Sequence, residues 1–267
     1  MTELGPLVGI GRTAEVFAFG EGRVVKLLRP GFPDRLAEDE ARVARAVAAV
    51  YPEAPACDGL VRIKGRLGVV LERLDGPSME TRARAGLWEV DRLARQLAAL
   101  HAEMHASDGS GLPDQRDATH AAIARVESIL PPGAAAAAHE RLDRLASGTS
   151  LCHGDLHPAN VLLGRRTVVI DWLTARCGSP AGDVARSVFL MRDAAMIDST
   201  PRLARIAIQA VRGRFCRVYL ATYRSLRAID PEEIRAWRLP TLAARLAEGI
   251  TAERPALVAE IEREVAR

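Results

Sequence analysis

The sequence predicts an α+β protein in which a small antiparallel sheet carrying one helix precedes a larger, mainly helical part. Three observations lead there. Short β-prone runs punctuated by glycine fill the first seventy or so residues, one amphipathic pattern interrupts them, and beyond Gly76 apolar residues recur almost throughout at helical spacing. The change of pattern puts a domain boundary at Asp75-Gly76-Pro77, dividing residues 1–76 from 77–267.

Val8–Arg12, Glu15–Phe19 and Val24–Leu28 read as strands of an antiparallel meander, with a turn at Gly20-Glu21-Gly22. From Asp34 to Val50, Leu36, Val43, Val47 and Val50 fall on one helical face until Pro52 stops the run, so a helix is expected beside the sheet. Leu60–Ile63 and Gly68–Glu72 are two further strands. Past the boundary, Leu87–His105 carries Leu93, Leu97 and Leu100 on one face, and His120–Leu130 and Ala137–Leu145 read as more helices. Gly109–Asp117 and Pro131-Pro132-Gly133 read as loops, and Ala134–Ala138 as a helix start or linker. Asn160–Leu163 and Thr167–Ile170 form a strand pair about Gly164-Arg165-Arg166, and after Gly182 the pattern is again helical.

Composition removes several classes of function. With 48% apolar and 27% charged residues the chain has the balance of a soluble globular protein, and its 4% aromatic content leaves Leu, Val and Ala to build the core. The net charge is only +3, with bases and acids interspersed, so no nucleic-acid partner is implied. Met1–Pro6 lacks the basic start and apolar run of a signal peptide, and no segment is long enough to span a bilayer; a cytoplasmic protein without a membrane partner is expected. Cys57, Cys152, Cys177 and Cys216 are scattered and form no C-x-x-C pair, which gives neither a disulfide framework nor a zinc site, and they read as reduced packing residues.

The chemistry concentrates in His153-Gly154-Asp155-Leu156-His157-Pro158-Ala159-Asn160 and in Asp171. Phosphoryl transfer from a nucleotide needs a carboxylate near the acceptor hydroxyl, an oxygen ligand and a second carboxylate for Mg²⁺, and a cation on the phosphates. In the protein-kinase catalytic loop, H-R-D-L-x-x-x-N, the Asp stands five residues before the Asn; Asp155 and Asn160 have that separation, with His153 and Leu156 in register. Asn160 opens a strand, a tight turn reverses it, and the returning strand delivers Asp171 to the same end of the hairpin, where Asn160 and Asp171 can share a metal. A metal-dependent phosphoesterase, suggested by Gly154-Asp155-Leu156-His157, would need further His and Asp clusters that the chain lacks. His101 and His105, four apart on a helix, find no third ligand in the sequence and read as packing or surface residues.

His-Gly-Asp-Leu-His-Pro-x-Asn followed by Ile-Asp-Trp resembles the aminoglycoside phosphotransferase and choline-kinase-like group, and the resemblance covers most of the chain. It implies a two-lobed protein-kinase-like fold, with ATP and Mg²⁺ between an N-terminal nucleotide-binding lobe and a C-terminal lobe that binds the acceptor. It further implies that Asp155 is the catalytic base or hydroxyl-orienting carboxylate, that Asn160 and Asp171 hold Mg²⁺, and that His153 and His157 shape the loop. Trp172-Leu173 stands where protein kinases have Phe-Gly, and no Ala-Pro-Glu follows, so a small-molecule hydroxyl acceptor is expected rather than a protein substrate.

On the nucleotide side, the turn at Gly11, Arg12 and Thr13 could fold over phosphates, although glycines between strands commonly serve only as turns. Lys26, one of only two lysines in the chain with Lys64, sits in the third strand, where the kinase fold places its phosphate-binding lysine. The resemblance favours Glu40 as its partner, with Glu38 as the alternative, and likens Glu72–Gly76 to the hinge, whose backbone at Glu72 and Leu74 would pair with adenine. It also likens Asp183 to an Asp that caps a helix and braces the catalytic loop. Between Val184 and Ala228 there are nine arginines but only Asp193 and Asp198, which argues against a strongly polycationic acceptor; Asp230, Glu232 and Glu233 could recognise an amine. The expected activity is ATP-dependent O-phosphorylation of a small metabolite or antibiotic. The alternative is a nucleotide-binding pseudokinase or regulatory module, against which stands the joint presence of Lys26, Asp155, Asn160 and Asp171.

Overall fold

Alternating apolar residues make the first sheet, and the computed structural model, which describes residues 4–193 and 201–267, shows five antiparallel strands where the meander was expected. These are β1 (Leu4–Ile10), β2 (Ala14–Phe19), β3 (Arg23–Leu28), β4 (Cys57–Ile63) and β5 (Arg66–Glu72), ordered β1-β2-β3-β5-β4. β1 starts four residues earlier than its apolar run suggested. Leu4 already pairs with Phe19, and register shifts on either side of Leu7 keep the strand paired through Gly5-Pro6. At its other end Arg12 belongs to the turn, because the Gly11 amide donates to the Ala14 carbonyl at 2.8 Å.

Helix α1 (Arg35–Ala48) lies against one face of this sheet. Ala37 and Ala41 pack on Leu28, Leu67 and Val69, a small apolar cluster in which short helix side chains allow close approach to the strands. Lys26 is at the centre of the sheet, opposite Val16 on β2 and Val69 on β5.

The chain divides into two compact units. The first comprises residues 1–82 together with 159–175, so the hairpin β7 (Val161–Leu163) and β8 (Thr167–Val169) makes its contacts with the sheet-bearing part. Glycine is required where this hairpin meets the segment after β5. Gly76 has φ +146°, and a Cβ there would sit 2.7 Å from the Leu163 carbonyl oxygen and 2.8 Å from Gly164, whose own Cβ would meet the Asp75 carbonyl oxygen at 2.1 Å.

The second unit, residues 83–158 and 176–267, is built on helices. Helix α2 (Met79–Ala85) crosses from one unit to the other in sequence, and α3 (Val90–Met104) follows a single 3₁₀ turn at Leu87–Glu89. Helix α4 (Gln115–Arg125) begins inside the stretch expected to be a loop. Asp114 caps it, its carboxylate accepting from the amides of Arg116 and Asp117 at 2.7 and 2.9 Å, so a polar first turn is helical without an apolar stripe. Helix α5 (Ala134–Arg144) starts at the alanine run, and the short strands β6 (Ser150–Cys152) and β9 (Arg176–Gly178) pair with each other at the two ends of residues 153–175.

Helices α6 (Pro180–Arg192), α7 (Arg202–Leu226), α8 (Pro231–Ala236), α9 (Arg238–Leu246) and α10 (Arg254–Val265) complete the unit. Its core joins Ile123, Leu142, Phe189, Trp237, Leu242 and Ile261 from five helices and the junction before α9. All four cysteines are free, and burial pushes the Cys152 and Cys216 thiols up, as expected of reduced packing residues. No described helix is long and apolar enough to cross a membrane.

Candidate active site

In the first unit three charged side chains from distant parts of the sequence converge. Lys26, on β3, donates through Nζ to Glu40 Oε1 at 2.6 Å and to Asp171 Oδ1 at 2.9 Å. Glu40 projects from the buried face of α1 and is 6% exposed, whereas Glu38 lies on the exposed face, so of the two acids it is Glu40 that meets the lysine. Burial opposes the charge on Lys26, but the two carboxylates outweigh it and hold the ammonium protonated well above its ordinary value. Burial pushes the Glu40 carboxyl up against the opposing effect of Lys26.

Asp171 and Asn160 sit at the same end of the β7–β8 hairpin. Val161 pairs with Val169, and the Ile170 amide donates to the Asn160 carbonyl at 2.9 Å. Asn160 ends a 3₁₀ turn rather than opening the strand, and is 8% exposed. Asp171 has φ +67°, a left-handed conformation uncommon outside glycine and tolerated by Asp. It directs the chain into a 3₁₀ turn that buries Trp172, which donates from Nε1 to the Val169 carbonyl at 2.7 Å and packs edge-on against Tyr51. Trp172 thus fills an apolar slot behind Asp171.

Gly11, Arg12 and Thr13 form the β1–β2 turn, pinned by Arg29, whose amide donates to the Thr13 carbonyl at 2.9 Å. Glu72 closes β5: its amide donates to the Ala56 carbonyl, and its carboxylate accepts from Arg166 at 2.6 Å and from the Ala56 amide at 3.2 Å. Its side chain therefore fastens the hairpin turn to the sheet. Among the described residues the Leu74 amide has no hydrogen-bond partner.

Asp155 belongs to the second unit, five residues along the chain from Asn160. Gly154 has φ +76°, which turns the loop so that both its polar backbone groups face α6. The Gly154 and His153 amides donate to Asp183 at 2.8 and 2.6 Å, and the Gly154 carbonyl accepts from Arg186 Nε at 3.2 Å. Arg186 also approaches Asp155 Oδ1 at 3.4 Å, and His157 Nε2 lies 3.8 Å from Oδ2. Burial pushes the Asp155 carboxyl up, but the neighbouring His157 and the Arg186 charge together outweigh it and leave it below its ordinary value.

Asp183 braces the loop but does not cap its helix. Ser179 is the cap, accepting from the Ala181 amide, with Pro180 in the first helical position. Asp183 sits one turn further in, fully buried, and its Oδ2 faces Nε2 of His101 at 3.0 Å and of His105 at 3.3 Å. Each histidine presents Nδ1 to a tyrosine hydroxyl at 2.6 Å, His101 to Tyr219 and His105 to Tyr223. The three candidate ligand atoms lie within 4.8 Å of one another, close enough to hold a metal ion. Tautomers with Nε2–H donating to the carboxylate and each tyrosine donating to Nδ1 satisfy every group without one. The histidines expected to be packing or surface residues are buried and support, through Asp183, the loop at His153-Gly154. The available signal was that the i,i+4 pair His101/His105 is matched by the i,i+4 pair Tyr219/Tyr223 on α7.

The arginines after Val184 have structural partners at several positions. Arg214 makes a two-pronged pair with Asp91 at 2.7 and 2.8 Å, Arg227 donates to the Ala102 carbonyl, and Arg192 and Arg224 border a cavity that includes Val188, Leu220 and Ile234. Asp198 and the first three residues of the N-terminus lie outside the described residues. Asp230 caps α8, Glu232 pairs with Arg235, and Glu233 lies 3.5 Å from the Ser179 hydroxyl, so all three acids have protein partners.

A family model described as a phosphotransferase enzyme family, APH, matches residues 6–229. Among solved structures, an aminoglycoside-3'-phosphotransferase of type VIII is similar at 21% identity over 90% of this chain and 92% of its own, with a TM-score of 0.60. A thermostable mutant of aminoglycoside phosphotransferase APH(4)-Ia, in ternary complex with AMP-PNP and hygromycin B, matches at 18% identity, 97% and 90% coverage and a TM-score of 0.65. The macrolide 2'-phosphotransferase MphH from Brachybacterium faecium matches at 25% identity, 96% and 91% coverage and a TM-score of 0.54. These likenesses establish the protein-kinase-like fold expected from the loop. No match to this sequence was found among curated proteins.

Proposed function

The chain belongs to the APH phosphotransferase enzyme family, an ATP-dependent kinase of small molecules, and from that premise we propose that it transfers the γ-phosphate of Mg-ATP to a hydroxyl of a metabolite or antibiotic. The observation that carries this reading is the Lys26–Glu40–Asp171 ion cluster. A partly buried lysine held between two carboxylates from separate elements has a fixed position, which a phosphate-binding cation needs and a surface lysine lacks.

The donor set suits a hard cation. Asn160 and Asp171 offer only oxygen ligands, and the second Asp171 oxygen retains acceptor capacity beyond the bond to Lys26. Mg-ATP supplies the phosphoryl group, with its charge partly neutralised for transfer. Lys26 would bind the α and β phosphates, Glu40 would hold Lys26 in place, and the amides of the Gly11-Arg12-Thr13 turn would face the phosphates. The Glu72 carbonyl and the Leu74 amide would receive the adenine edge.

Asp155 would accept a hydrogen bond from the acceptor hydroxyl and take its proton as the new P–O bond forms. A carboxyl kept below its ordinary value stays ionised at neutral pH and acts chiefly by orienting that hydroxyl, which suits a loose phosphoryl-transfer transition state. The commitment of Asp230 and Glu232 to a cap and an ion pair, beside the arginines on α6 and α7, supports an acceptor less cationic than an aminoglycoside.

The test is ATP consumption by the full chain against hydroxylated antibiotics, sugars, amino alcohols and nucleosides, with Asp155→Asn as the control. Acceptor-dependent turnover that the variant loses supports the reading. Tight Mg-ATP binding with no turnover on any acceptor would replace it with a nucleotide-binding regulatory module.

A further inference from the structure

Helix α6 grips the catalytic loop at two points one turn apart. Asp183 takes the amides of His153 and Gly154, and Arg186, three residues on, takes the Gly154 carbonyl through Nε. The guanidinium is then aimed at the next residue: its Nη2 lies 3.4 Å from Asp155 Oδ1 and is also bonded to Glu248 Oε1. Its side chain is only 14% exposed.

Glu248 is itself held. Its second oxygen accepts from Arg245 Nη1 at 2.5 Å, and Arg245 forms a two-pronged pair with the buried Glu253, at 2.7 and 3.0 Å. An alternating chain of charge therefore runs Asp155, Arg186, Glu248, Arg245, Glu253, from the loop to the segment after α9. Each internal member has a partner of opposite charge on both sides, which makes its partial burial tolerable and its position over-determined.

We propose that Arg186 is a positioning residue for phosphoryl transfer, pinning Oδ1 of Asp155 so that Oδ2 is presented to the acceptor hydroxyl; this rests on the phosphotransferase reading above. The charged or titratable groups facing Asp155 in its unit are Arg186, His157 and His153, with Asp183 behind the loop and Glu248 behind Arg186. Arg186 and His157 approach different oxygens of the carboxylate, Arg186 at 3.4 Å from Oδ1 and His157 at 3.8 Å from Oδ2. Without Arg186, Oδ1 loses its charged neighbour on α6, and a displacement of about 1 Å at a reacting group can cost on the order of 10²-fold in rate. Arginine suits the place better than lysine because Nε and Nη2 serve the loop carbonyl and the carboxylate from one rigid plane.

The experiment compares the parent with Arg186→Met and Arg186→Lys. Methionine keeps the apolar stem, and Glu248 keeps Arg245, so the unit retains its packing. In Arg186→Met we expect kcat to fall by about 10- to 10²-fold, while KM for ATP and the Mg-ATP thermal shift stay unchanged. Arg186→Lys should recover part of kcat, since it restores the charge but not the bond to the Gly154 carbonyl. Crystal structures of parent and Arg186→Met should show the Asp155 carboxylate rotated or spread over several rotamers in the variant. An Asp155 side chain that stays in one unchanged conformation overturns the inference whatever the rates, and so does an unchanged kcat in an enzyme that Asp155→Asn silences. A parent that turns over no ATP sinks the phosphotransferase reading instead, and the Asp155 conformation in the two crystals still decides what Arg186 holds.

Discussion

Lys26 and Asp171 are 145 residues apart in the sequence and meet at 2.9 Å, one at the centre of the sheet and the other at the end of the β7–β8 hairpin. The contact ties the proposed phosphate-binding cation to the proposed metal ligand within one compact unit. It also makes Lys26 a stability residue. Lys26→Met leaves Glu40 buried with no cation, which should cost about 1–3 kcal/mol, less than the ~3–5 kcal/mol of a fully buried pair because Lys26 is partly exposed. Adding Glu40→Gln should restore the melting temperature but not Mg-ATP binding. Calorimetric melts with and without Mg-ATP separate the two effects, and a double variant that binds Mg-ATP like the parent would remove Lys26 from the nucleotide site.

Asp171 answers for both a backbone conformation and a ligand. Asp171→Asn keeps a residue tolerant of positive φ, whereas Asp171→Ala adds strain of about 1 kcal/mol. The alanine variant should melt below the asparagine variant in the absence of nucleotide. Both should lose most of the Mg²⁺-dependent thermal shift given by ATP. Equal shifts in parent and variants would place the metal elsewhere.

Asp155→Asn keeps the side-chain shape and removes the charge. Turnover should fall by about 10²- to 10⁴-fold, as loss of a general base does, while Mg-ATP binding measured by titration stays near the parent's. Undiminished turnover would take Asp155 out of the chemistry.

Much of the site was legible because its residues carry their own spacing. Asp155 and Asn160 stand at a fixed separation, Asp171 follows a tight hairpin, and Lys26 is conspicuous in a chain that otherwise uses arginine almost throughout. Arg186 had no such mark. It is one of nine arginines between Val184 and Ala228, a stretch whose charged helix faces are ordinarily solvated, and the turn at Gly154 and the return of the chain at Glu248 give it partners. The resemblance made Asp183 a helix cap, yet Ser179-Pro180 supplies both the cap and the first helical residue. The start of helix α4 was missed because its first turn is polar and rests on the Asp114 cap, and the start of β1 because its first pairs run through Gly5-Pro6. A capping carboxylate and a pairing with the next strand carry no apolar period, so local periodicity does not register them.

The buried network around Asp183 sets a dependence of stability on pH. Burial, reinforced by the neighbouring His101, lowers the His105 imidazole to about 3, against the opposing pull of Asp183. Asp183 is held well below the ordinary carboxylate range, burial pushing it up but the hydrogen bonds from His101 and His105 outweighing that. Below its ordinary value of about 6.5 the unfolded chain protonates His105 while the folded chain does not, so the folded state binds fewer protons and loses stability as the pH falls. His105's contribution is complete above pH ~6.5 and should decline by about 2 kcal/mol by pH 5, with Asp183 adding to the loss only below about pH 4. His105→Gln retains a donor for Asp183 and an acceptor for the Tyr223 hydroxyl but does not titrate. The variant should melt below the parent at pH 7.5, and the gap should narrow as the pH is lowered to 5, because only the parent loses the histidine's contribution. Melting curves of both proteins across that range check the sign; a gap that stays constant or widens would mean that the buried His105 takes up a proton in the folded state.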